Sequence, residues 1–212
     1  MTMLSSNGKI LIKKAGVDYS KLELLFNRYT YQVSLLGLDL IGDSVDYNKM
    51  CQTPVIGLGD MNITKQNKFH WEYTINGFSN NGYSTGFGEF DSNSSTTRLL
   101  FSFLISNNSL RISRTINSVM TNIDLNVNYS IGTRVIVDIE MRNQIFFVTV
   151  KYGSTLVAEV SIPISETTLY NAAFNLGGLR FDESGYGLKG IIHLDSCYFI
   201  VNDELVWGVK KI

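Results

Sequence analysis

Large apolar side chains occupy every second position in several stretches of the chain. They alternate with polar residues over residues 69–75, and the same alternation runs over residues 135–141. A period of two is that of a β-strand with one buried face, because successive side chains of a strand point to opposite sides. These stretches predict strands packed on a core, and we expect Trp71 and Phe101 to be buried on facing or adjacent strands.

Polar turns interrupt this alternation about every ten residues. Turns at residues 142–144 and 152–154 divide residues 134–162 into three consecutive strands, and Asn76-Gly77 is predicted to end the strand that begins near Lys68. There is no room for the helical crossover of a parallel βαβ unit, which needs a dozen residues or more. The pattern therefore predicts an all-β, antiparallel sandwich or barrel with about a dozen strands.

The chain is less regular before residue 64. Residues 9–13 form a short apolar run between lysines, which suits a strand at the edge of a sheet. The leucine spacing within residues 19–31 fits one face of a helix and predicts a short helical segment there. We expect residues 1–63 to form an N-terminal strand with a loop and short-helix segment suited to anchoring or assembly. Residues 64–212 are expected to form the sandwich.

The two ends of the chain carry similar short strands. Residues 9–13 and residues 205–212 are both apolar at the centre and flanked by lysines. Backbone groups in a folded protein need hydrogen-bond partners, and neither run has an obvious neighbouring strand in the sequence. We therefore expect residues 10–12 to pair antiparallel with residues 207–209.

The most specific pattern lies between Gly178 and Trp207. A glycine-rich loop leads into a long β-type run over residues 191–201, Asn202-Asp203-Glu204 turns the chain, and Leu205 begins the return strand. This segment resembles the closing hairpin of concanavalin-like and laminin-G-like sandwiches. Versions that end in Leu-Val-Trp, as here, resemble binding domains of bacteriophage tail and fibre proteins.

Four further motifs stand in the order found in laminin-G-like jelly rolls. They are Phe-x-Trp-x-Tyr at 69–73, Leu-Leu-Phe-Ser at 99–102, Gly-x-Arg-Val-x-Val at 132–137 and Phe-Val-x-Val at 147–150. The resemblance implies a jelly-roll β-sandwich of the concanavalin/laminin-G type. It further implies a non-enzymatic structural or binding protein of a bacteriophage virion, in a tail, fibre or capsid-decorating place. Such a protein would be a homo-oligomer that contacts cell-surface glycans or other virion proteins.

Two alternatives to a virion protein remain open. One is a lectin-like carbohydrate-binding protein of a host cell, which a signal peptide would favour; the first residues lack the positive-then-apolar order of such a peptide. The other is a glycoside hydrolase of the same fold, which carries three carboxylates on one strand. Glu89 and Asp91 fit the first two positions, but Ser94 occupies the third. We therefore expect no catalysis.

Composition and charge limit the classes of partner that we expect the protein to bind. The 212 residues suffice for one sizeable core, and a net charge of −1 argues against electrostatic capture of nucleic acid. No apolar run approaches the roughly 20 residues of a membrane helix, so we expect no membrane insertion. Cys51 and Cys197 are too few for a disulfide framework, and we expect two reduced, buried thiols rather than one bridge.

Candidate ligand-binding residues lie in polar loops. A sugar site needs an aromatic ring and hydrogen-bonding groups, which Tyr83, Asp91, Asn93, Asp182 and Tyr186 offer. Calcium is a possible cofactor at Asp91, Asn93 or Asp182, whose oxygens are of the kind that calcium prefers. The alternative is that the aromatic rings plug the open end of the sandwich and the acidic residues are ordinary turn residues.

Other residues give weaker indications of a functional role. Asp138 and Glu140 are expected on the solvent side of their strand, opposite its apolar face. His70 and His193 lack a second His, Cys or carboxylate at metal-ligand spacing, so neither is predicted to bind metal or to catalyse. Phe87 and Phe90 are expected to pack rather than to bind a ligand.

Overall fold

The fold consists almost entirely of β-strands. The computed structural model of the chain describes residues 3–6, 9–12, 17–21, 25–27, 30–33, 38–41, 50–57, 61–79, 83–89, 98–104, 109–116, 119–126, 130–166, 171–177 and 187–211. Within these residues the helical elements are two 3-10 turns, Ile164–Glu166 and Leu194–Ser196. The same residues contain no helix with the length and apolarity to cross a bilayer.

The strands are numbered here in chain order. They are β1 (Met3–Ser6), β2 (Lys9–Ile12), β3 (Val17–Lys21), β4 (Leu25–Asn27), β5 (Thr30–Val33), β6 (Leu38–Ile41), β7 (Met50–Gln52), β8 (Ile56–Gly57), β9 (Asn67–Ser79), β10 (Tyr83–Glu89), β11 (Arg98–Leu104), β12 (Ser109–Ile116), β13 (Val119–Asn126), β14 (Arg134–Arg142), β15 (Ile145–Tyr152), β16 (Thr155–Pro163), β17 (Asn171–Gly177), β18 (Gly187–Ile192), β19 (Tyr198–Val201) and β20 (Glu204–Lys211).

Two large antiparallel sheets contain most of these strands. The 8-stranded sheet has the order β13-β12-β11-β10-β17-β7-β4, with β8 beside β17. The 10-stranded sheet has the order β16-β15-β14-β9-β18-β6-β5. In that sheet β19 pairs with the start of β9 and continues the sheet to β20 and β3, while β18 pairs with the end of β9. The long strand β9 is therefore the centre of its sheet.

Aromatic side chains from the two sheets meet in a common core. Trp71 on β9 stacks on Phe174 of β17 at a centroid distance of 4.6 Å, and Phe69 lies 4.9 Å from Phe87 of β10. Trp207 of β20 stacks on the indole of Trp71 at 5.3 Å. Rings of this size bury large apolar areas and dominate the stability of a core. The face-to-face packing confirms the predicted antiparallel β-sandwich.

The alternation predicted for β9 and β14 is confirmed. Phe69, Trp71 and Tyr73 are at most 1% exposed, and β14 alternates between buried and half-exposed positions from Val135 to Met141. Trp71 is buried as predicted, whereas the side chain of Phe101 lies outside the described ones.

The predicted meander of β14, β15 and β16 is also confirmed. Val201 and Glu204 enclose a two-residue turn in the closing hairpin, and Arg142 and Ile145 enclose another at the end of β14. The central residues of both turns have φ between 50° and 71°, which is the left-handed conformation of a type I′ hairpin turn.

Two predicted strand boundaries are wrong. Strand β9 continues through Asn76-Gly77 to Ser79, because β18 pairs with this end of the strand. The predicted run over residues 191–201 is broken by the 3-10 turn, which buries its own first residue Leu194 and the following Cys197. Apolar content alone does not distinguish a continuous strand from two strands joined by a tight turn.

The N-terminal region differs from prediction in two respects. The described residues within 19–31 belong to strands β3, β4 and β5 rather than to a helix. Strand β2 pairs with β1, and the C-terminal strand β20 pairs with β3 instead of with residues 10–12. Open sheet edges supply hydrogen-bond partners that override a weak helical pattern. The boundary at residue 64 and an anchoring role for residues 1–63 remain predictions.

Candidate functional site

Most residues predicted to bind a ligand lie outside the described part of the chain. Asp91, Asn93, Asp182 and Tyr186 belong to this group, so a glycan or calcium site there remains a prediction. Tyr83 begins strand β10 instead of lying in the predicted loop, and its backbone is opposite Leu104; its side chain is not among the described ones.

The acidic pattern at the end of β10 is only partly described. Glu89 is the last residue of that strand, whereas Phe90, Asp91 and Ser94 lie outside the described residues. Phe87 is fully buried in the core, which confirms its predicted packing role.

A cluster of charged side chains lies on the outer face of the 10-stranded sheet. We call it the His70 cluster; its members are Lys68, His70, Glu72, Arg134, Asp138 and Tyr198. The register of the sheet places His70 directly opposite Asp138 on β14 and opposite Tyr198 on β19. Side chains directly opposite one another on one face of a sheet are close enough to interact. The cluster follows from the pairing of three strands that are far apart in sequence.

His70 bridges two carboxylates. Its Nδ1 atom lies 2.8 Å from Oδ1 of Asp138, and its Nε2 atom lies 2.8 Å from Oε1 of Glu72. The imidazole also stacks on the ring of Tyr198, with a centroid distance of 5.0 Å and an interplanar angle of 16°. These contacts fix both the position and the plane of the ring.

Arg134 holds the second carboxylate oxygen of Glu72. Its Nε atom donates to Oε2 of Glu72 at 2.6 Å, and its Nη2 atom contacts the same oxygen. Nη2 also donates to Oγ of Ser196, in the 3-10 turn, at 3.3 Å. Glu72 is buried although it lies on the outer face, because this guanidinium and the turn cover it.

Lys68 interacts with the other carboxylate of the cluster. Its Nζ atom lies 3.4 Å from Oδ1 of Asp138 and 5.9 Å from the centre of the Tyr198 ring. Burial opposes the charged form of this amine, but the charge of Asp138 and the contact with Tyr198 outweigh it, so the pKa of Lys68 is raised. The lysine therefore remains cationic beside Asp138.

The two hydrogen-bonded groups in the centre shift each other's pKa. Burial by itself would lower the pKa of His70, but the hydrogen bonds to Asp138 and Glu72 outweigh it and raise that pKa above its ordinary value. Burial would likewise raise the pKa of Asp138, yet the hydrogen bond from His70 and the charges of His70 and Lys68 lower it. Both shifts favour the charged forms.

A second aromatic ring lies on the same face. Phe147 of β15 is half-buried, and the guanidinium of Arg142 lies 5.7 Å from its ring centre. Arg142 also pairs with Glu140, which lies on the same strand face as Asp138. The prediction that Asp138 and Glu140 lie opposite the apolar face of β14 is confirmed, but both carboxylates have ion-pair partners. Phe147 and Tyr198 thus flank a row of paired charges.

The buried thiol of Cys197 lies behind the cluster. Its Sγ atom accepts from the backbone N–H of Glu72 at 3.3 Å and donates to the carbonyl oxygen of His193 at 3.4 Å. Cys197 is free, which confirms that it does not pair with Cys51; the side chain of Cys51 is not described. Complete burial raises the pKa of the Cys197 thiol far above its ordinary range, so this cysteine is a packing residue.

The geometry of the His70 cluster suits polar recognition. The two carboxylates flank opposite ring nitrogens, so a cation bound to either nitrogen would reach only one of them. Among the described residues, no group of three His, Cys, Asp or Glu side chains could hold a metal ion. Both nitrogens already make hydrogen bonds, and neither is available to accept a proton from a substrate in this arrangement. His193 is bonded separately, with Nε2 2.8 Å from Oγ1 of Thr74.

The strand order and the packed sheets define a jelly-roll β-sandwich, as predicted. No protein-family model matches the chain, and neither does any curated protein. Full-length tailspike protein 2 from Escherichia coli O157:H7 bacteriophage CAB120 superposes with a TM-score of 0.56, at 9% identity, over 90% of this chain and 27% of that one. The enzymatically active domain of bacteriophage CBA120 tailspike protein 2 gives 0.52, at 8% identity, over 85% of this chain and 29% of that one.

Another similar structure is the carbohydrate-binding module CBM66 from Bacillus subtilis. Its TM-score is 0.47 at 8% identity, over 82% of this chain and 94% of that one. The chain spans about a quarter of the tailspike chains that it resembles. At these identities the similarity concerns the fold.

Proposed function

We propose that the chain is a non-catalytic binding module of a bacteriophage virion, in a tail, fibre or capsid-decorating place. It contacts glycans, partner virion subunits or both, and it acts as a homo-oligomer. For glycans, we assign the contact to the outer face of β19, β9, β14 and β15, between Tyr198 and Phe147. The loop residues predicted from the sequence are the competing location.

The arrangement of this outer face is the observation that supports glycan binding. Tyr198 and Phe147 present half-buried rings, and one apolar face of a pyranose packs well on such a ring. Three neighbouring strand spacings separate the two residues, or about 14 Å across the sheet. Carboxylates and cationic groups lie between the rings and can bond to sugar hydroxyls. Because ion pairs already hold these groups, little conformational entropy is lost on binding.

The virion role is supported by the shape of the domain. The neighbours with TM-scores above 0.5 described above are tailspike structures, although fold similarity by itself does not fix function. We expect the protein to copurify with phage particles and to crosslink to neighbouring virion proteins. If it were instead absent from purified particles and bound glycans as a free protein, the host lectin-like alternative would be favoured.

A glycan array followed by calorimetry tests the binding surface. We expect Tyr198→Ala and Phe147→Ala each to weaken binding by about tenfold or more, since aromatic anchors dominate most binding sites. The matched control is Val119→Ala, an exposed apolar residue on the 8-stranded sheet, which should bind like the wild type. If only Tyr186→Ala or Asp182→Ala lost binding, the site would lie in the predicted loops. A repeat with a calcium chelator tests the possible calcium at Asp91, Asn93 or Asp182.

The absence of catalysis is proposed because Ser94 stands where the hydrolase pattern has its third carboxylate. One neighbour is the enzymatically active domain of a tailspike protein, so the hydrolase alternative is tested after the lectin-like one. We expect purified protein to release no reducing sugar from β-glucans, galactans or host capsule polysaccharides. Hydrolysis that disappeared in Glu89→Gln would contradict the proposal.

A further inference from the structure

The two hydrogen bonds of His70 need one proton more than a neutral imidazole and two ionised carboxylates provide. A neutral ring carries one N–H and one acceptor nitrogen, and an ionised carboxylate only accepts. Both ring nitrogens lie 2.8 Å from carboxylate oxygens, so one contact of a neutral ring would place two acceptors against each other. Either the ring carries two protons or one carboxyl group is protonated.

The surrounding groups favour protons on the ring. Lys68 lies 3.4 Å from Asp138, and Arg134 binds the far oxygen of Glu72, so each carboxylate has its own permanent cation. Protonation of either carboxylate would remove the negative charge that pairs with one of these cations. The two cations already balance the two carboxylates, so the charges alone do not require an imidazolium. The two short contacts do, because each ring nitrogen must donate a proton when both carboxylates are ionised.

We propose that His70 is a pH-sensitive clamp: as an imidazolium it locks the outer face, and it releases that face when it loses a proton as pH rises. The clamp joins β9 to β14 through Asp138 and to β19 through the stacked ring of Tyr198. Through Glu72 and Arg134 it also reaches Ser196 in the 3-10 turn.

Among the residues that the structure describes, the charged or titratable groups that face the ring come from three strands. Lys68 and Glu72 come from β9, Asp138, Glu140 and Arg134 from β14, and Tyr198 from β19. Glu140 lies one position beyond Asp138 on the same face, and its pKa is lowered mainly by its hydrogen bond from Arg142. It therefore remains ionised over the range in which His70 titrates.

The direction of the pH effect follows from the raised pKa of His70. The ionised ring contributes stability that is fully present below the unfolded value of about 6.5 and is lost as pH rises through the folded pKa. When the proton leaves, one of the two carboxylate contacts is lost. Lys68 and Arg134 continue to hold Asp138 and Glu72, so the ring is released without leaving a buried carboxylate unpaired. The expected result is local loosening around Tyr198, not unfolding.

Nuclear magnetic resonance of the ring nitrogens is the direct test. The chain has only two histidines, so the histidine signals that remain in the His193→Gln variant belong to His70. We expect both nitrogens of His70 to carry protons at about pH 6 and its titration midpoint to lie above the ordinary value of about 6.5. A midpoint at or below the ordinary value would overturn the proposal.

A second measurement follows the melting temperature between about pH 6 and pH 9. Over this range the melting temperature of the wild type and of His193→Gln should fall, whereas that of His70→Gln should fall less, because glutamine does not titrate. If His70→Gln did not fold, Asp138→Asn would serve instead: it removes the negative charge beside Nδ1 and should lower the His70 midpoint. An unchanged midpoint in Asp138→Asn, or equal pH dependence in wild type and His70→Gln, would contradict the clamp.

Discussion

The two faces of strand β9 differ in how specific their contacts must be. On the inner face, Phe69, Trp71 and Tyr73 pack against apolar side chains of the other sheet. Any apolar partner of suitable size would satisfy them, since burial is not directional. On the outer face, His70 and Glu72 each require a particular charge at a particular position. The inner face stabilises the domain, while the outer face depends on the register of the sheet.

The outer contacts also cross the sheet diagonally. Lys68 is opposite Glu140 but contacts Asp138, one pair further along the strands. Arg134 is opposite Thr74 but reaches diagonally to Glu72. Diagonal neighbours are within reach of long side chains, so a single network can join several strand pairs. A slip of one residue would destroy every one of these pairs.

Truncation on the inner face should have the largest effect. We expect Trp71→Ala to lower the free energy of unfolding by about 3–5 kcal/mol, because it leaves a cavity between Phe174 and Trp207. Urea denaturation measures the change. The control Val119→Ala, exposed on the other sheet, should stay within about 0.5 kcal/mol of the wild type. An unchanged midpoint in Trp71→Ala would reverse the assignment of the two faces.

The backbone beneath the outer face should be almost as sensitive. Gly208 has φ of 108°, and a Cβ atom there would lie 2.5 Å from Cα of Tyr198 and would also meet the carbonyl of Cys197. We expect Gly208→Ala to cost about 3 kcal/mol from strain and backbone displacement together. Gly132→Ala is the matched control, because its φ is 89° but nothing lies within 4 Å of the added atom. Equal losses in the two variants would show that close packing at Gly208 is unimportant.

Substitution of the buried carboxylate on the outer face should cause the next largest loss of stability. Glu72→Gln removes the charge that holds Arg134 and His70, and we expect a loss of about 1–3 kcal/mol in thermal or urea unfolding. Glu159→Gln changes an exposed carboxylate at the edge strand β16 and should change stability by less than about 0.5 kcal/mol. If both variants behaved alike, the network would be a solvated set of charges with no structural role.

The smallest expected effect is a change in how stability depends on pH in the acid range. The pKa of Asp138 is lowered in the folded protein, so its contribution is present above its ordinary value of 3.8 and is lost as pH falls through the folded pKa. Asp138→Asn should therefore flatten the acid limb of stability, by less than about 1 kcal/mol because the pair is partly solvated. Urea midpoints between about pH 2 and pH 5 measure it. A steeper acid limb in the variant would contradict this assignment.

The sequence predicted the structure well where the pattern of residues within one strand or one turn was sufficient. The alternation of β9 and β14 identified the core-facing residues, and Asn143-Gln144 and Asn202-Asp203 marked tight hairpin turns. Asparagine and aspartate tolerate the left-handed conformation that these turns require. The prediction was weaker at Tyr83, which was expected in a polar loop but begins strand β10, and for residues 19–31, where strands replaced a predicted helix.

What the sequence determined by itself was the class of fold and the inward face of its regular strands, because periodicity is a property of each strand alone. Only the tertiary structure decided which strands are neighbours. It placed β3 beside β20, and it brought Asp138 to His70 across a separation of 68 residues. At that separation no local spacing relates the two residues, and nothing in the sequence marked Asp138 as a partner of His70. Hydrogen bonding between sheet edges sets the register, and the register sets the chemistry of the outer face.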